Sequence, residues 1–258
     1  MPAELAGQVA IVTGAAHGFG RQICAQLGGL GARIAACDIN DDELAGTGQI
    51  LAKAGIESYL RHVDVTDEAQ VDAFVAEVLA RWGQVDILVN DAGGTLGVQW
   101  QPVDKVATAD WDRIVKVNLY GPFFFTRAVA GHMKKRRYGK IVTISSGAGR
   151  AHSRTGIHAY SAAKAGVMGF VRQCAFELGK YNINVNSVAP GLIMSTEGSQ
   201  RHWAELPGED RETVLDTVAL HRLGTVEDIA NAVVFLVTEA GDWIQGQTIL
   251  VDGGHWMF

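Results

Sequence analysis

The run Val9-Ala-Ile-Val-Thr13 leads straight into Gly14-Ala-Ala-His-Gly18-Phe-Gly20 and then into an amphipathic segment, Arg21 to Leu30. An unbroken apolar, β-branched run of this length reads as a strand buried on both faces, which requires helices on both sides of a parallel sheet. Glycines after such a strand permit a tight turn and close backbone approach. The free N–H groups at the start of the next helix then attract an anion such as pyrophosphate. Strand, glycine turn and helix in that order commit the chain to an α/β architecture and point to a dinucleotide.

The same alternation continues. The next strand, Arg33 to Asp38, ends in a carboxylate 18 residues beyond Gly20. A carboxylate there accepts hydrogen bonds from the ribose 2′-hydroxyl of NAD and repels the 2′-phosphate of NADP, so NAD is expected; His17 and Arg33 are the nearby groups that would soften the choice. The plainer role for Asp38, capping the next helix, is one that Asn40-Asp41-Asp42 can fill instead. Strands are expected near Ser58–Val63, Asp86–Asn90, Lys140–Ser145, Ile183–Val188 and Gln247–Asp252. Helical patterns cover Asp41–Ala54, Asp67–Trp82, Ala109–Arg136 (disturbed at Asn118 and Gly121-Pro122), Tyr160 to about Lys180, and Val226–Thr238. Residues 192–217 lack a strong period and read as a lid over a binding site. The expectation is a Rossmann-type, doubly wound parallel sheet with helices on both faces, one domain over residues 1–258.

Composition removes other classes. A formal net charge of −6 argues against nucleic acid as a partner. The one basic run, Lys134 to Arg137, falls where a helix should end, and cations are favourable there. No stretch of about 18 apolar residues argues for a membrane span. Cys24, Cys37 and Cys174 are scattered without a CxxC, and the eight histidines show no metal-ligand spacing. With no basic, hydrophobic leader at the start, a soluble cytoplasmic protein is expected, with no metal.

The chemistry centres on Tyr160 and Lys164, one helical turn apart on the same face. A free phenol titrates near 10, and bringing it to neutrality takes roughly 4 kcal/mol. An ammonium ~5 Å away at an effective dielectric of ~20 supplies about 3 kcal/mol of that. Tyr160 is therefore a candidate general acid/base.

Together these motifs resemble the short-chain dehydrogenase/reductase family over nearly the whole chain. The residues that carry the likeness are Thr13-Gly14-xxx-Gly18-x-Gly20, Asp64-Val65, Asn90-Asp91-Ala92-Gly93, Asn118, Ser146, Tyr160-xxx-Lys164, Pro190-Gly191 and Val251-Asp252-Gly253-Gly254. The resemblance implies a dinucleotide turn at Gly14, Gly18 and Gly20, flanked by His17 and Phe19, with Asp38 as ribose selector and an adenine contact at Asp64-Val65. It places Asn90, Ala92 and Gly93 beside the cofactor ribose, and Pro190, Gly191, Ile193 and Ser195 near the nicotinamide. Tyr160 matches the catalytic acid/base, Lys164 the residue that lowers its pKa and holds the ribose, and Ser146 the serine bonded to the reacting oxygen. Asn118 matches the residue that anchors a water to the lysine for proton relay. There are three departures. Asp91 stands where a second asparagine is usual. Ser195 replaces a threonine after Pro-Gly, with Thr196 as the alternative. The Ser146–Tyr160 spacing is one residue longer than the commonest in the family, which leaves Ser145 as an alternative serine.

The activity implied is NAD-dependent interconversion of a secondary alcohol and a ketone. The rivals are a 3-oxoacyl-thioester reductase and, more remotely, a non-catalytic nucleotide-binding regulator. Arg150, His152, Arg154 and His158 lie between Ser146 and Tyr160, and the lid adds Arg201, His202 and Trp203. Guanidinium groups suit an anionic substrate; the alternative is that these residues pair across an interface or face solvent, which leaves sugars, polyols or ring alcohols. Trp100, Trp203 and Trp256 are candidate wall residues. The family resemblance, small residues at Ala162, Ala165, Gly166 and Gly169, and an apolar tail from His255 to Phe258 that could tuck into a neighbour point to a homotetramer.

Overall fold

The computed structural model describes residues 4–153 and 156–257. Seven strands form its centre: β1 (Val9–Thr13), β2 (Arg33–Asp38), β3 (Ser58–His62), β4 (Ile87–Asn90), β5 (Gly139–Ile144), β6 (Ile183–Pro190) and β7 (Thr248–Val251). They pair in the order β3-β2-β1-β4-β5-β6-β7, every pair parallel. The helices are α1 (Gly18–Gly29), α2 (Asp41–Lys53), α3 (Glu68–Trp82), α4 (Thr108–Val115), α5 (Gly121–Arg136), α6 (His158–Leu178), α7 (Glu197–Glu205), α8 (Gly208–Leu215) and α9 (Val226–Val237). None of the described helices is long and apolar enough to cross a membrane.

The unbroken apolar strands follow from this layering. Ala10 and Val12 of β1 join Ile23, Leu27, Val233 and Leu236 on one face, where α1 and α9 pack. Val9 and Ile11 face the other way, into Phe74, Val78, Phe125 and Val129 of α3 and α5. Each of the larger side chains taken out of water contributes about 1.5–3 kcal/mol, and the two-sided sheet collects such burial on both of its faces.

Local signals fix the helix starts. The Asn40 side chain accepts from Glu43 N to cap α2, so Asp38 is not needed for that task. Asp67 caps α3, and Thr225 with Asp228 forms a capping box on α9. The pattern from 109 to 136 resolves into α4, a π-helical turn at Lys116–Tyr120 that carries Asn118, and α5. Pro122 sits in the first turn of α5, where its missing N–H costs little. Residues 192–217 need a correction. They contain two helices rather than an aperiodic loop, and α7 begins with a Thr196–Ser199 capping box that the polar composition concealed.

Candidate active site

The sheet order turns at β1, whose neighbours are β2 and β4, and the crevice beyond the strand ends is where such folds hold ligands. There a cleft of about 800 Å³ is lined by residues from the ends of β1, β2, β4, β5 and β6 and from the N-terminal part of α6. Every residue expected at the cofactor lines it except Gly20 and Asn90: Gly14, His17, Gly18, Phe19, Asp38, Asp64, Val65, Ala92, Gly93, Tyr160, Lys164, Pro190, Gly191, Ile193 and Ser195 are all on its wall.

The glycine turn is built for close approach. Gly14 and Gly18 have φ of 67° and 55°, a region that favours glycine. A Cβ on Gly20 would stand 2.2 Å from the Gly14 carbonyl oxygen. His17, at the N-cap of α1, makes no side-chain cap, so the helix start offers its N–H groups toward the cleft. Across the turn, Asp38 accepts from Ala16 N (3.0 Å) through one oxygen and from Asn40 N (3.0 Å) through the other. Its carboxylate is therefore held in place at the cleft wall. Arg33 is not near it. The two residues occupy opposite ends of β2, roughly 16 Å apart at 3.3 Å per residue, and the Arg33 guanidinium lies over Trp82. His17 shares the cleft wall with Asp38, its ring 3.9 Å from Glu43.

Farther along, Asp64 accepts from both the amide and the hydroxyl of Thr66 at 2.8 Å. Asn90, buried at the end of β4, donates to Thr143 Oγ1, while its Oδ1 has no partner. Thr13 Oγ1 accepts from the amides of Asp91 and Ala92 and so fastens the Asp91–Gly94 loop to β1.

The four candidate catalytic residues converge. Ser146 hydrogen-bonds the Tyr160 hydroxyl, while its own oxygen accepts from Ala148 N at 3.1 Å. Ser145 is engaged elsewhere: its hydroxyl donates to the Lys164 main-chain oxygen (2.9 Å), which separates the two serines that the sequence left open. Lys164 is only 4% exposed; its Nζ donates to the Ile144 carbonyl (2.8 Å) and lies 5.7 Å from the centre of the Tyr160 ring. Asn118 is fully buried, donates to the carbonyls of Gly94 and Ile114 (2.8 and 2.9 Å) and accepts from Gly94 N (2.9 Å). A methyl placed on Gly93 would stand 2.6 Å from Asn118 Oδ1 and 3.3 Å from Lys164 Nζ, so these two groups flank one spot. Thr196 is bound up in the α7 cap, while Ser195 packs against Gly18 in the cleft.

The electrostatics correct one expectation. Lys164 does not by itself bring Tyr160 toward neutrality. Burial pushes the phenol above its ordinary value, the Ser146 bond opposes that, and the Asp91 carboxylate adds to it. The same burial brings Lys164 down to about 8, resisted by Asp91. Burial pushes Asp91 up to about 7, resisted by Lys164 and by the Gly20 amide. Desolvating both partners costs more than their mutual interaction returns.

A family model described as enoyl-(acyl carrier protein) reductase matches residues 14–255. The chain is 37% identical over 251 residues to (2S)-[(R)-hydroxy(phenyl)methyl]succinyl-CoA dehydrogenase subunit BbsD of Thauera aromatica, with 97% of each chain covered. It belongs to the short-chain dehydrogenase/reductase family. Sorbitol dehydrogenase of Cereibacter sphaeroides is a second family relative, 36% identical over 98% of this chain and 99% of its own. Among solved structures, 7α-hydroxysteroid dehydrogenase with NADH and 7-oxoglycochenodeoxycholic acid superimposes with a TM-score of 0.89 at 33% identity, covering 98% and 95% of the two chains. This short-chain dehydrogenase/reductase is therefore an oxidoreductase that works with a nicotinamide cofactor.

The expected substrate residues are placed differently. Arg150, Arg201 and Trp203 do not line the cleft, and Arg154 and the His202 side chain fall outside the described residues. The chain end supplies wall residues, Trp256 as expected and His255 beside it. His255 and Trp256 line the protein's own cleft; Met257 is 80% exposed, and Phe258 lies outside the described residues. His152 joins them on the wall. The signal available in the sequence was the Gly253-Gly254 turn just before two aromatic rings.

Proposed function

We propose that this enzyme interconverts a secondary alcohol and a ketone with NAD. The observation that carries the reading is one cleft holding Asp38 at one end and the Ser146–Tyr160–Lys164 group, backed by Asn118, at the other. A bound oxidised nicotinamide would accept the hydride that leaves the carbinol carbon and would add a positive charge beside the phenol. The chain's own residues handle the oxygen. Tyr160, as phenolate, takes the hydroxyl proton as the carbonyl forms; in reduction it returns that proton to the oxygen. The Ser146 hydroxyl donates its one proton to the reacting oxygen and stays within hydrogen-bond reach of the Tyr160 oxygen, holding the two together. Lys164 holds positive charge next to the phenol and binds the ribose, and a water between its Nζ and Asn118 passes the proton outward.

Asp38 supports NAD over NADP, because a fixed carboxylate beside the ribose is hostile to a 2′-phosphate. The same residue weighs against a 3-oxoacyl-thioester reductase, the nearest rival. Among the described residues, Lys164 is the one Lys or Arg on the cleft wall, which favours a neutral substrate. Helices α7 and α8 act as the lid over this end of residues 1–258, and the assembly is a cytoplasmic homotetramer. The test is the cofactor preference of Asp38→Ala. We expect weaker NADH binding, by about 10-fold or more, and gain of use of NADPH; an unchanged preference would remove Asp38 from the role.

A further inference from the structure

The substrate end of the cleft is walled by three rings from two distant parts of the chain. Trp256 packs its Cδ1 edge against Gly147, the residue after Ser146: a Cβ built on Gly147 would stand 3.1 Å from it. The His152 ring meets the indole edge-on at 5.0 Å and 83°, and the His255 ring meets it at 4.7 Å and 73°. Edge-to-face pairs of this kind hold aromatic side chains in fixed orientations.

The tail that brings Trp256 here is tied down. Asp252 accepts from Gly254 N (3.0 Å) with one oxygen and from Trp256 N (2.9 Å) with the other. Gly253 and Gly254 take φ of 64° and 82°, which turns the chain back over the end of β7. The His255 Nδ1 lies 2.9 Å from the Thr217 carbonyl oxygen and fastens the tail to the segment after α8. A fixed indole beside the reacting centre is an apolar surface already ordered before any substrate arrives.

We propose that His152, Trp256 and His255 are the substrate-selecting wall, and that it takes a neutral secondary alcohol or ketone set on an apolar ring, the ring lying against Trp256. The proposal rests on the alcohol–ketone reading above. Leu96, Ala148 and Leu192 add apolar surface to the same cleft, and Arg150 and Arg201 are not among its lining residues. A polyol would have to bury several hydroxyls along this lining, and each one left unpaired weakens binding. A ring buries its carbon surface there without that loss.

The probes are cyclohexanol and 2-decalol as ring alcohols and 2-octanol and sorbitol as open-chain ones, each with NAD, against wild type, Trp256→Ala and Trp256→Phe. Wild type should favour the ring alcohols. Trp256→Ala should lower their kcat/KM about 10- to 100-fold, chiefly through KM, and change the open-chain values less than about 3-fold. Trp256→Phe should restore most of the loss, and NADH binding, followed by fluorescence, should stay within about 3-fold of wild type in both variants. Equal losses on all probes, no loss on the ring alcohols, or a wild type that prefers sorbitol or 2-octanol would each overturn the proposal. Failure of the NAD reading looks different: every probe would turn over with NADP in preference to NAD, whatever residue occupies position 256.

Discussion

Replacing Gly93 with alanine isolates the contact that connects the loop after β4 to the proton-handling groups. The added methyl would stand 2.6 Å from Asn118 Oδ1, closer than real Cβ atoms come to an oxygen, and 3.3 Å from Lys164 Nζ. Asn118 has little room to yield. It is fully buried, and its amide makes three hydrogen bonds, two of them with Gly94, the neighbour of the substituted residue. Breaking buried bonds without replacing them costs about 1–3 kcal/mol each, so losing one and straining another gives roughly 2–3 kcal/mol. In a domain of this size that lowers Tm by roughly 5–10 °C. Activity should fall about 10- to 100-fold in kcat, because a displacement near 1 Å at a positioned group has that effect. Thermal melts and steady-state kinetics read the two effects. Gly131→Ala is the matched control: in α5, nothing lies within 4 Å of its added methyl, and removing a mid-helix glycine should be neutral or stabilise by up to about 1 kcal/mol. If Gly93→Ala matched that control in both Tm and kcat, the close packing of Gly93, Asn118 and Lys164 would not matter to the enzyme.

Asp91 should leave a signature in pH. Its folded value of about 7 lies above the ordinary 3.8, so between roughly 4 and 7 the folded state holds a proton that the unfolded state has released, and stability falls as pH rises through that window. Asp91→Asn should flatten this slope and, by removing the carboxylate that supports the lysine charge, move the Lys164 transition below about 8; melts and NADH binding across pH 4–9 that overlay wild type would contradict it. The two serines should separate cleanly. Ser146→Ala removes the hydroxyl that counters the raised Tyr160 value, so kcat should drop about 10²–10³-fold with an alkaline shift of the pH profile, whereas Ser145→Ala should cost about 1 kcal/mol of stability and little activity. Equal losses from both would undo the assignment of Ser146.

The layered sheet was legible because its signals are local and repeat. An apolar strand such as Val9–Thr13 can hide all its residues only between two layers of helix, and the glycine turn after it marks the ligand edge. Pro122 likewise announced a break, although not the π turn that places Asn118. The features that escaped depend on distance through space. Nothing in the order of residues says that Trp256 returns 109 positions later to touch Gly147. The helices of 192–217 were hidden by weak periodicity, since α8 has no buried face among its residues. The sign of the Tyr160 shift depended on burial, a property of the packed state that pairwise spacing does not carry.

The most direct test of the account is Tyr160→Phe. The substitution removes one oxygen, the group proposed to carry the substrate proton, and leaves the ring packed in α6. NADH should bind within about 3-fold of wild type while kcat falls about 10²–10⁴-fold, the range that a positioned acid/base supplies. A variant that binds NADH normally and keeps most of its turnover would contradict the mechanism at its centre.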